Sequence, residues 1–568
     1  MKRLRKSDPS SMWGDIGRYI MIIALSLIFA GVASLFSFRI DLTTDRRHTL
    51  SKSAREILSS LHNDVFIQVY LDGEMPVEFK RLRRSVRSML EEFRVVSDRK
   101  VDFRFINPAA AKDEAQRNRY QSELEEKGLN KVKIMDTDDE GGLSEKLIFP
   151  GMIVSYQGVE MPVNFLKNNP TVTAEQNLLH SIEGLEYEII RSVATISADT
   201  VYRVAFLEGH GELDELHVAD LTLELAKYFT IDRGTIGGIP GVLDGYSAIV
   251  IAGPVSEFAE EDKLVIDQYI MNGGRVMWLV DEVYVNQDSL AMGGSLAIYS
   301  PLNIEDQLFK YGVRINPVIV QDMDCIIIPV QADVVGQQQQ YMPVPWLYYP
   351  LLYPSAENSI TRNINKVKGT FVNTIDTVVT DSSVRKEILL ATSPYSREVS
   401  PPRIISLDEY RYPPPEEVFV NSFIPVAVAL EGSFPSLFSG RIASYNGSPL
   451  VRRSTDTRMI VIADGDIAAN DVSVIGNRVN PLPLGYDRYT RQTFGNKDLM
   501  VNCLNWLVDE SGIMELRSRE VKIRLLDRAR IDEHRLFWQL FNTAGPILIV
   551  LIIALIFSMV RQKKYGSY

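Results

Sequence analysis

A chain of 568 residues with 45% hydrophobic and 24% charged residues has an ordinary globular composition and is long enough for several domains. A formal net charge of −12 argues against a nucleic-acid partner, which calls for a basic face. Two cysteines, Cys325 and Cys503, are too few to staple a fold; they either pair in an oxidising compartment or sit as buried free thiols.

Residues 1–18 form a basic tail carrying Lys2, Arg3, Arg5, Lys6 and Arg18. The uncharged run Tyr19–Phe38 follows and reaches membrane-spanning length. Small residues at Gly31-Val32-Ala33 offer a signal-peptide cut, but the apolar run continues to Phe38, so we expect an anchor that is kept. Ser51 or Ser53 caps a helix over Ala54–Leu61.

In 39–170 the expected elements alternate. Val65–Leu71 is a strand by its β-branched and aromatic content. Val77–Val96 is a helix, with Val86, Leu90 and Phe93 at helical spacing and arginines on its other faces. Val101–Ile106 alternates as a strand and stops at Asn107-Pro108. Asp113–Lys127 is a polar helix ending at Gly128, and Lys131–Met135 is a short strand. Asp136–Glu145 reads as a solvated charged loop. Leu147–Tyr156 and Val159–Leu166 form a hairpin around Gln157-Gly158. The order resembles a thioredoxin-like α/β fold in topology only. No cysteine lies in this region, which excludes thiol–disulfide chemistry, and Pro150 reads as an ordinary trans residue at a strand entry. Ala174–Ala198 is a long amphipathic helix, read as the connector 171–199.

The region 200–515 opens with the strand Val201–Leu207 and the turn Glu208-Gly209-His210-Gly211-Glu212. Helix Leu216–Tyr228, strand Ser247–Ala252, helix Glu260–Asn272 and strand Arg275–Val280 follow. Near-continuous apolar strands alternating with helices imply a parallel sheet covered on both faces. A β-rich insertion is expected over about 291–415, with Gln337–Gln340 and many prolines. Its aromatics Trp346, Tyr348, Tyr349 and Tyr353 are a candidate partner surface, or they simply pack on the sheet. Lys386–Ala391 and Arg458–Ala463 return as core strands, and Lys497–Val508 is a helix burying Trp506 and Leu507. Val521–Leu526 and Arg528–Arg535, within the return segment 516–535, lead to a second charge-free run, Leu536–Val560. At ~1.5 Å per residue it crosses a ~30 Å hydrocarbon core. Arg561, Lys563 and Lys564 lie in the tail 561–568. Short basic tails stay in the cytoplasm, so both ends are expected inside and 40–535 in the periplasm, on the outer side of an inner membrane.

In an open parallel sheet, ligands bind beyond the carboxyl ends of the strands. Those ends carry Glu208, His210, Glu212, Asp281, Glu282, Asp464 and Asp466. One histidine among carboxylates holds a divalent metal or works as an acid–base pair; alternatively, Gly209 and Gly211 let the chain reverse while His210 and Glu212 bond to the turn. We favour the structural turn, with no catalytic, metal or cofactor site. No P-loop, no G-x-S-x-G elbow, no C-x-x-C and no H-E-x-x-H occurs.

The stretches Phe206–Glu212 (FLEGHGE), Ile249–Pro254 (IVIAGP) and Tyr269–Asp281 (YIMNGGRVMWLVD), between two terminal apolar runs, are similar to the GldG family of Bacteroidetes, gliding-motility-associated auxiliary components of ABC transporters. The resemblance implies a membrane-tethered extracytoplasmic subunit that works with a separate permease and a separate cytoplasmic ATPase. It also implies a central GIFT domain, similar to class I glutamine amidotransferases but without their nucleophilic cysteine. Expected contacts are the permease and ATPase, membrane lipid, and an envelope protein or saccharide; nucleic acid is not expected. The competing expectation is a metal-dependent or carbohydrate-directed periplasmic enzyme using the His210/Asp464 edge. Gly545-Pro546 is placed to kink the last span against a permease.

Overall fold

The computed structural model describes residues 50–111, 113–137, 143–166, 173–198, 201–331, 341–379, 381–441, 444–476, 478–518 and 533–565, with Met21, Ala24, Leu25 and Ile531 besides. Apart from Met21, Ala24 and Leu25, which are helical, the run Tyr19–Phe38 lies outside them, as do Gln337–Gln340 and Val521–Leu526. The chain forms two units, Met1–Arg519 and Glu520–Tyr568.

From Leu50 on, the described residues of the first unit open with helix α1 (Lys52–Ser60), where the Ser51 hydroxyl accepts from the Ala54 amide, as its position before an apolar-periodic segment predicts. Strand β1 (Val65–Val69), helix α2 (Val77–Val96) and strand β2 (Val101–Phe105) form a parallel unit, with Val65 opposite Val101. Helix α2 buries Leu82, Val86, Leu90 and Phe93, the stripe its 3.6-residue period predicts. Helix α3 (Glu114–Glu126) is capped by Asp113. Strands β3 (Gly151–Tyr156) and β4 (Val159–Asn164) turn at Gln157 and Gly158, both at positive φ, as a two-residue hairpin demands. The sheet order is β2-β1-β3-β4.

One expected strand proves to be two. Leu143–Ile148 pairs with Val132–Thr137, and the chain breaks at Phe149-Pro150 before β3 begins. The first ladder ends at Ile148 and β3 begins at Gly151 in a different sheet, with Pro150, which has no amide hydrogen, at the break. Both ends of the stretch expected as the loop Asp136–Glu145 therefore belong to a ladder, with Asp136 opposite Ser144. The Phe149–Pro150 bond is trans.

The expected single connector helix is also two, α4 (Ala174–Glu183) and α5 (Leu185–Ser197), meeting at Gly184. Tyr187, Ile189, Ile190 and Val193 of α5 are buried in the same core as Val65, Ile67 and Leu90, and the Tyr187 hydroxyl donates to the Met514 sulfur at 3.3 Å. This segment is core, not an exposed strut, because its apolar positions occupy more than one face.

A ten-stranded sheet follows. Its parallel half comprises β5 (Arg203–Glu208), β6 (Thr230–Thr235), β7 (Ala248–Ala252) and β8 (Val276–Leu279). The rest are β9 (Cys325–Gln331), β10 (Tyr341–Pro354), β11 (Val384–Ala391), β12 (Pro425–Gly432) and β13 (Thr457–Ile462), with Val367–Lys368 paired onto β10. The order is β9-β10-β11-β12-β13-β8-β7-β5-β6. From β13 to β6 neighbours are parallel; from β9 to β13 they are antiparallel.

The all-parallel expectation thus holds for half of one mixed sheet. The region 291–415 is not a separate insertion, since it supplies β9, β10 and β11. Its prolines hid β10: Pro343 lies opposite Pro329, so that rung needs no donor from either strand. Strands β6 and β12 were not anticipated.

Side chains alternate between the sheet's two faces. Helices α6 (Ala219–Leu225), α7 (Glu260–Met271) and α8 (Asn496–Val508) cover the sheet, and Val204, Phe206, Val250, Met277 and Ile460 join a core shared with α8. Ala205, Ile249, Ile251, Trp278 and Val461 pack on the other face with Ile266 and Ile270 of α7. On α8 Leu507 is buried, but Trp506 is half-buried and takes the Arg458 guanidinium over its ring at 5.0 Å. Gly432 ends β12 with φ +140°, and a β-carbon there would lie 2.1 Å from the Ser383 carbonyl oxygen. Gly432→Ala should therefore cost ~3 kcal/mol, read as a lower unfolding midpoint.

In the second unit helix α9 runs over Arg535–Tyr565 with Pro546 inside it. Its stretch Arg535–Val560 is 26 residues long, apolar enough to cross a membrane, and 0% buried.

Candidate functional site

Adjacent parallel strands carry their carboxyl-end residues to one place. Strand β8 runs into Asp281, and its neighbour β13 runs into Asp464-Gly465-Asp466. The Gly465 amide donates to Asp281 Oδ2 at 2.9 Å. Asp464 accepts from the Asp466 amide through Oδ1 and from the Thr370 amide through Oδ2, each at 2.9 Å. Asp466 Oδ2 accepts from the Gln287 amide group at 3.0 Å. Asp281 Oδ1 is buried with no hydrogen-bond partner. Only glycine fits at 465: a β-carbon would lie 2.6 Å from both Asp281 Oδ2 and the Gly253 α-carbon.

Burial comes first in raising all three carboxyl pKa values. The charge of Asp466 adds to the rise at Asp281, and those of Asp281 and Asp466 add to it at Asp464. At Asp466 the nearby Lys368 and His217 pull the other way. Glu282, next along the chain, is pushed up to about 7, chiefly by burial.

Asp466 also lines a cavity of about 510 Å³, together with His217, Tyr349, Lys368, Thr370 and Asn470. Asn470 ties the wall together: its side chain accepts from the Asp220 amide at 3.1 Å and donates to the Leu216 carbonyl at 3.1 Å. Opposite charges and a tyrosine around a space of this size suit a small polar ligand.

His210 belongs to a different network. Its ring stacks on Phe258 at 3.7 Å, with Nδ1 3.1 Å from Glu212 and Nε2 3.0 Å from Asp262. Its own amide donates to Glu212 Oε2 at 2.7 Å, across a turn in which Gly209 and Gly211 have positive φ. Burial opposes protonation of the ring, but the hydrogen bonds and charges of Glu212 and Asp262 outweigh it, so the pKa is raised. A raised histidine pKa contributes stability below the free value of ~6.5, and this is lost as pH rises through the folded value. His210→Ala should therefore destabilise by ~2 kcal/mol at pH 6 and by less at pH 9, in thermal unfolding of the full chain. Glu208 stands apart again, paired with Arg233 at 2.6 Å.

The seven residues expected at the strand ends thus divide into three groups, and the histidine facing Asp466 is His217, which the motif reading missed, as it did Lys368 and Asn470. Among the described residues no group of three or more His, Cys, Asp or Glu is arranged to hold a metal ion. Trp346 and Tyr348 are buried, in a cluster with Phe371, rather than displayed as a partner surface. Tyr349 is half-buried on the cavity wall, and Tyr353 is half-buried with its hydroxyl 2.5 Å from Asp324. The aromatics turn inward because β10 is an interior strand with one face on this cluster. Cys325 and Cys503 are both free thiols.

Comparison with known proteins adds the following. A family model described as a domain of unknown function matches residues 44–155. A protein of Borreliella burgdorferi, named only as an uncharacterized protein, is 21% identical over 558 residues, 95% of each chain. Among solved structures, the mmIFT52 N-terminal domain is 13% identical with a TM-score of 0.31, over 57% of this chain and 100% of that one. A further model, described as ABC-type uncharacterized transport system, matches residues 202–503, which spans β5 to α8 and more than half of the chain. The protein belongs to that family, as an ABC-transporter auxiliary protein.

Proposed function

We propose that this protein is a non-enzymatic subunit of an ABC transporter complex, anchored in the inner membrane by Tyr19–Phe38 and Leu536–Val560. Both termini lie in the cytoplasm and the folded body is periplasmic. A thioredoxin-like part over 39–170 and a GIFT-type part over 200–515 bind substrate or an envelope partner, protein or saccharide. The anchors pack on a permease that works with a cytoplasmic ATPase. The resemblance to the GldG family points to gliding motility as the process served.

The observation that carries this reading is α9, an apolar 26-residue stretch with none of its residues buried, on a chain of a transport family. Such a helix needs lipid or another helix around it. Purification in mild detergent should bring down a polytopic permease and an ATPase. Isolation of the chain alone, with crosslinking in membranes also finding no polytopic partner, would overturn the assignment.

The enzyme reading at the His210/Asp464 edge has one observation in its favour, the unpartnered Asp281 oxygen. Against it, His210 is held by Glu212 and Asp262. Stoichiometric metal in the purified protein, lost on Asp464→Asn, would restore it.

A further inference from the structure

The chain is acidic overall, at −12, yet one surface of the first unit is basic. Helix α2 carries Lys80, Arg81, Arg83, Arg84, Arg87 and Arg94 against Glu78, Glu91 and Glu92, and between Val77 and Leu90 its single acid is Glu78. Lys80, Arg83, Arg84, Arg87 and Arg94 recur at offsets of 3, 4, 7 and 14, which places them on one stripe of the helix. Its other side is fixed in the core by Leu82, Val86, Leu90 and Phe93, so the stripe faces outward. Two of these cations have acid partners: Arg83 pairs with Asp72 at 2.8 Å, and Arg94 pairs with Asp102. Among the described residues, Lys80, Arg84 and Arg87 pair with no carboxylate, and all three are exposed.

The neighbouring edge strand β2 supports the arginines. Arg87 lies over the Phe105 ring at 4.4 Å and Arg83 at 5.5 Å, while Arg94 lies over Phe103 at 4.6 Å. Stacking orients a guanidinium while leaving its N–H edge free, an arrangement suited to phosphate oxygens. Two apolar side chains bracket the stripe: Val77 is 69% exposed at its start and Val95 is 51% exposed at its end. A cationic helix face flanked by exposed aliphatics is the pattern of a helix lying on a lipid surface.

We infer that this face of α2 docks on the anionic phospholipid headgroups of the membrane that anchors the chain. The chain's own connectivity supplies the reach. Only residues 39–49 separate Phe38 from Leu50, a span of at most ~40 Å. Helix α1, which starts just after Leu50, is the neighbour of α2 in the fold. An acidic protein would match the arginines, but it leaves the two exposed valines unexplained, whereas a headgroup layer accepts both.

The inference rests on the anchoring of Tyr19–Phe38, and one experiment separates the two. The full chain, with Cys325→Ser and a donor fluorophore on Ser88→Cys, is placed in lipid nanodiscs bearing a headgroup-labelled acceptor lipid. Retention in the discs reports the anchors. Energy transfer from position 88 reports the stripe. Transfer is expected to be ~2-fold or more higher in phosphatidylglycerol-containing discs than in phosphatidylcholine discs, and to fall in 1 M salt. The double change Lys80→Glu with Arg84→Glu should abolish the difference, and Lys80→Gln with Arg84→Gln should reduce it without reversing charge. Equal transfer in both lipids, or a difference that survives the charge reversal, overturns the inference while retention leaves the anchors standing. High transfer that appears only when co-purified transporter subunits are present, at constant lipid, overturns it in favour of an acidic protein partner.

Discussion

Asp281→Asn is expected to stabilise the protein by ~2 kcal/mol at neutral pH, although it removes a carboxyl group from the middle of the candidate site. Asp281 is held beside Asp464 and Asp466 with one oxygen unpartnered, and burial raises its pKa first, with the charge of Asp466 second. A carboxyl whose pKa is raised on folding favours the folded state at low pH. As pH climbs above ~4 the unfolded chain releases its proton while the folded chain keeps it, so stability falls. Asparagine does not titrate and keeps an oxygen for the Gly465 amide. The gain should therefore be near zero at pH 4 and grow towards neutrality. Thermal unfolding of the full chain in detergent, at several pH values, reads it directly. A gain that does not vary with pH would show that folding does not raise the Asp281 pKa.

The largest loss is expected from Asp267→Ala, ~4 kcal/mol, on a residue with no role at the site. Asp267 sits on α7, fully buried, and accepts four hydrogen bonds. The donors are the Tyr311 hydroxyl at 2.9 Å, the Ser436 hydroxyl at 2.7 Å, the Leu437 amide at 2.9 Å and the Gln268 side chain at 3.0 Å. Truncation strands all four donors in a closed core beside Phe434. Ser436→Ala removes only one donor and should cost ~1 kcal/mol. Denaturant unfolding of the two variants gives the ratio, and equal losses would sink the four-donor account. Faster protease cleavage near Phe438 in Asp267→Ala should accompany the loss, because Leu437 and Ser436 are the points where that turn is tied to α7.

Much of the local structure was legible. Helix α2 spans Val77–Val96 as its apolar spacing predicts, and β7 is the unbroken apolar run Ser247–Ala252 shortened by one residue. Such elements declare themselves because each buries its own face, and the burial pattern is written in consecutive residues. The elements that escaped are those whose signal depends on a neighbour. Strand β10 is full of prolines, and its place is settled by its neighbours: Pro343 lies across from Pro329 and Pro345 across from Ile327. Strand β6 is polar because it sits on the sheet's edge, paired only with β5. Gly184 looked like one residue in a long helix, and it is where two helices meet.

By itself the amino-acid order determined the charge-free run at 536–560, the apolar strands that must lie between layers, and the helix faces that pack on them. The turn chemistry around His210 was also there, in the two glycines on either side of it. Which charged groups meet is settled by the folding of the chain in space. His217 and Lys368 are far from Asp466 in sequence, and the sheet order brings them to one cavity wall while sending His210, much nearer to His217 along the chain, to Asp262. Electrostatic neighbours are set by distances through space. Those distances follow from the register and order of strands, and this information is distributed over the whole chain and belongs to no motif.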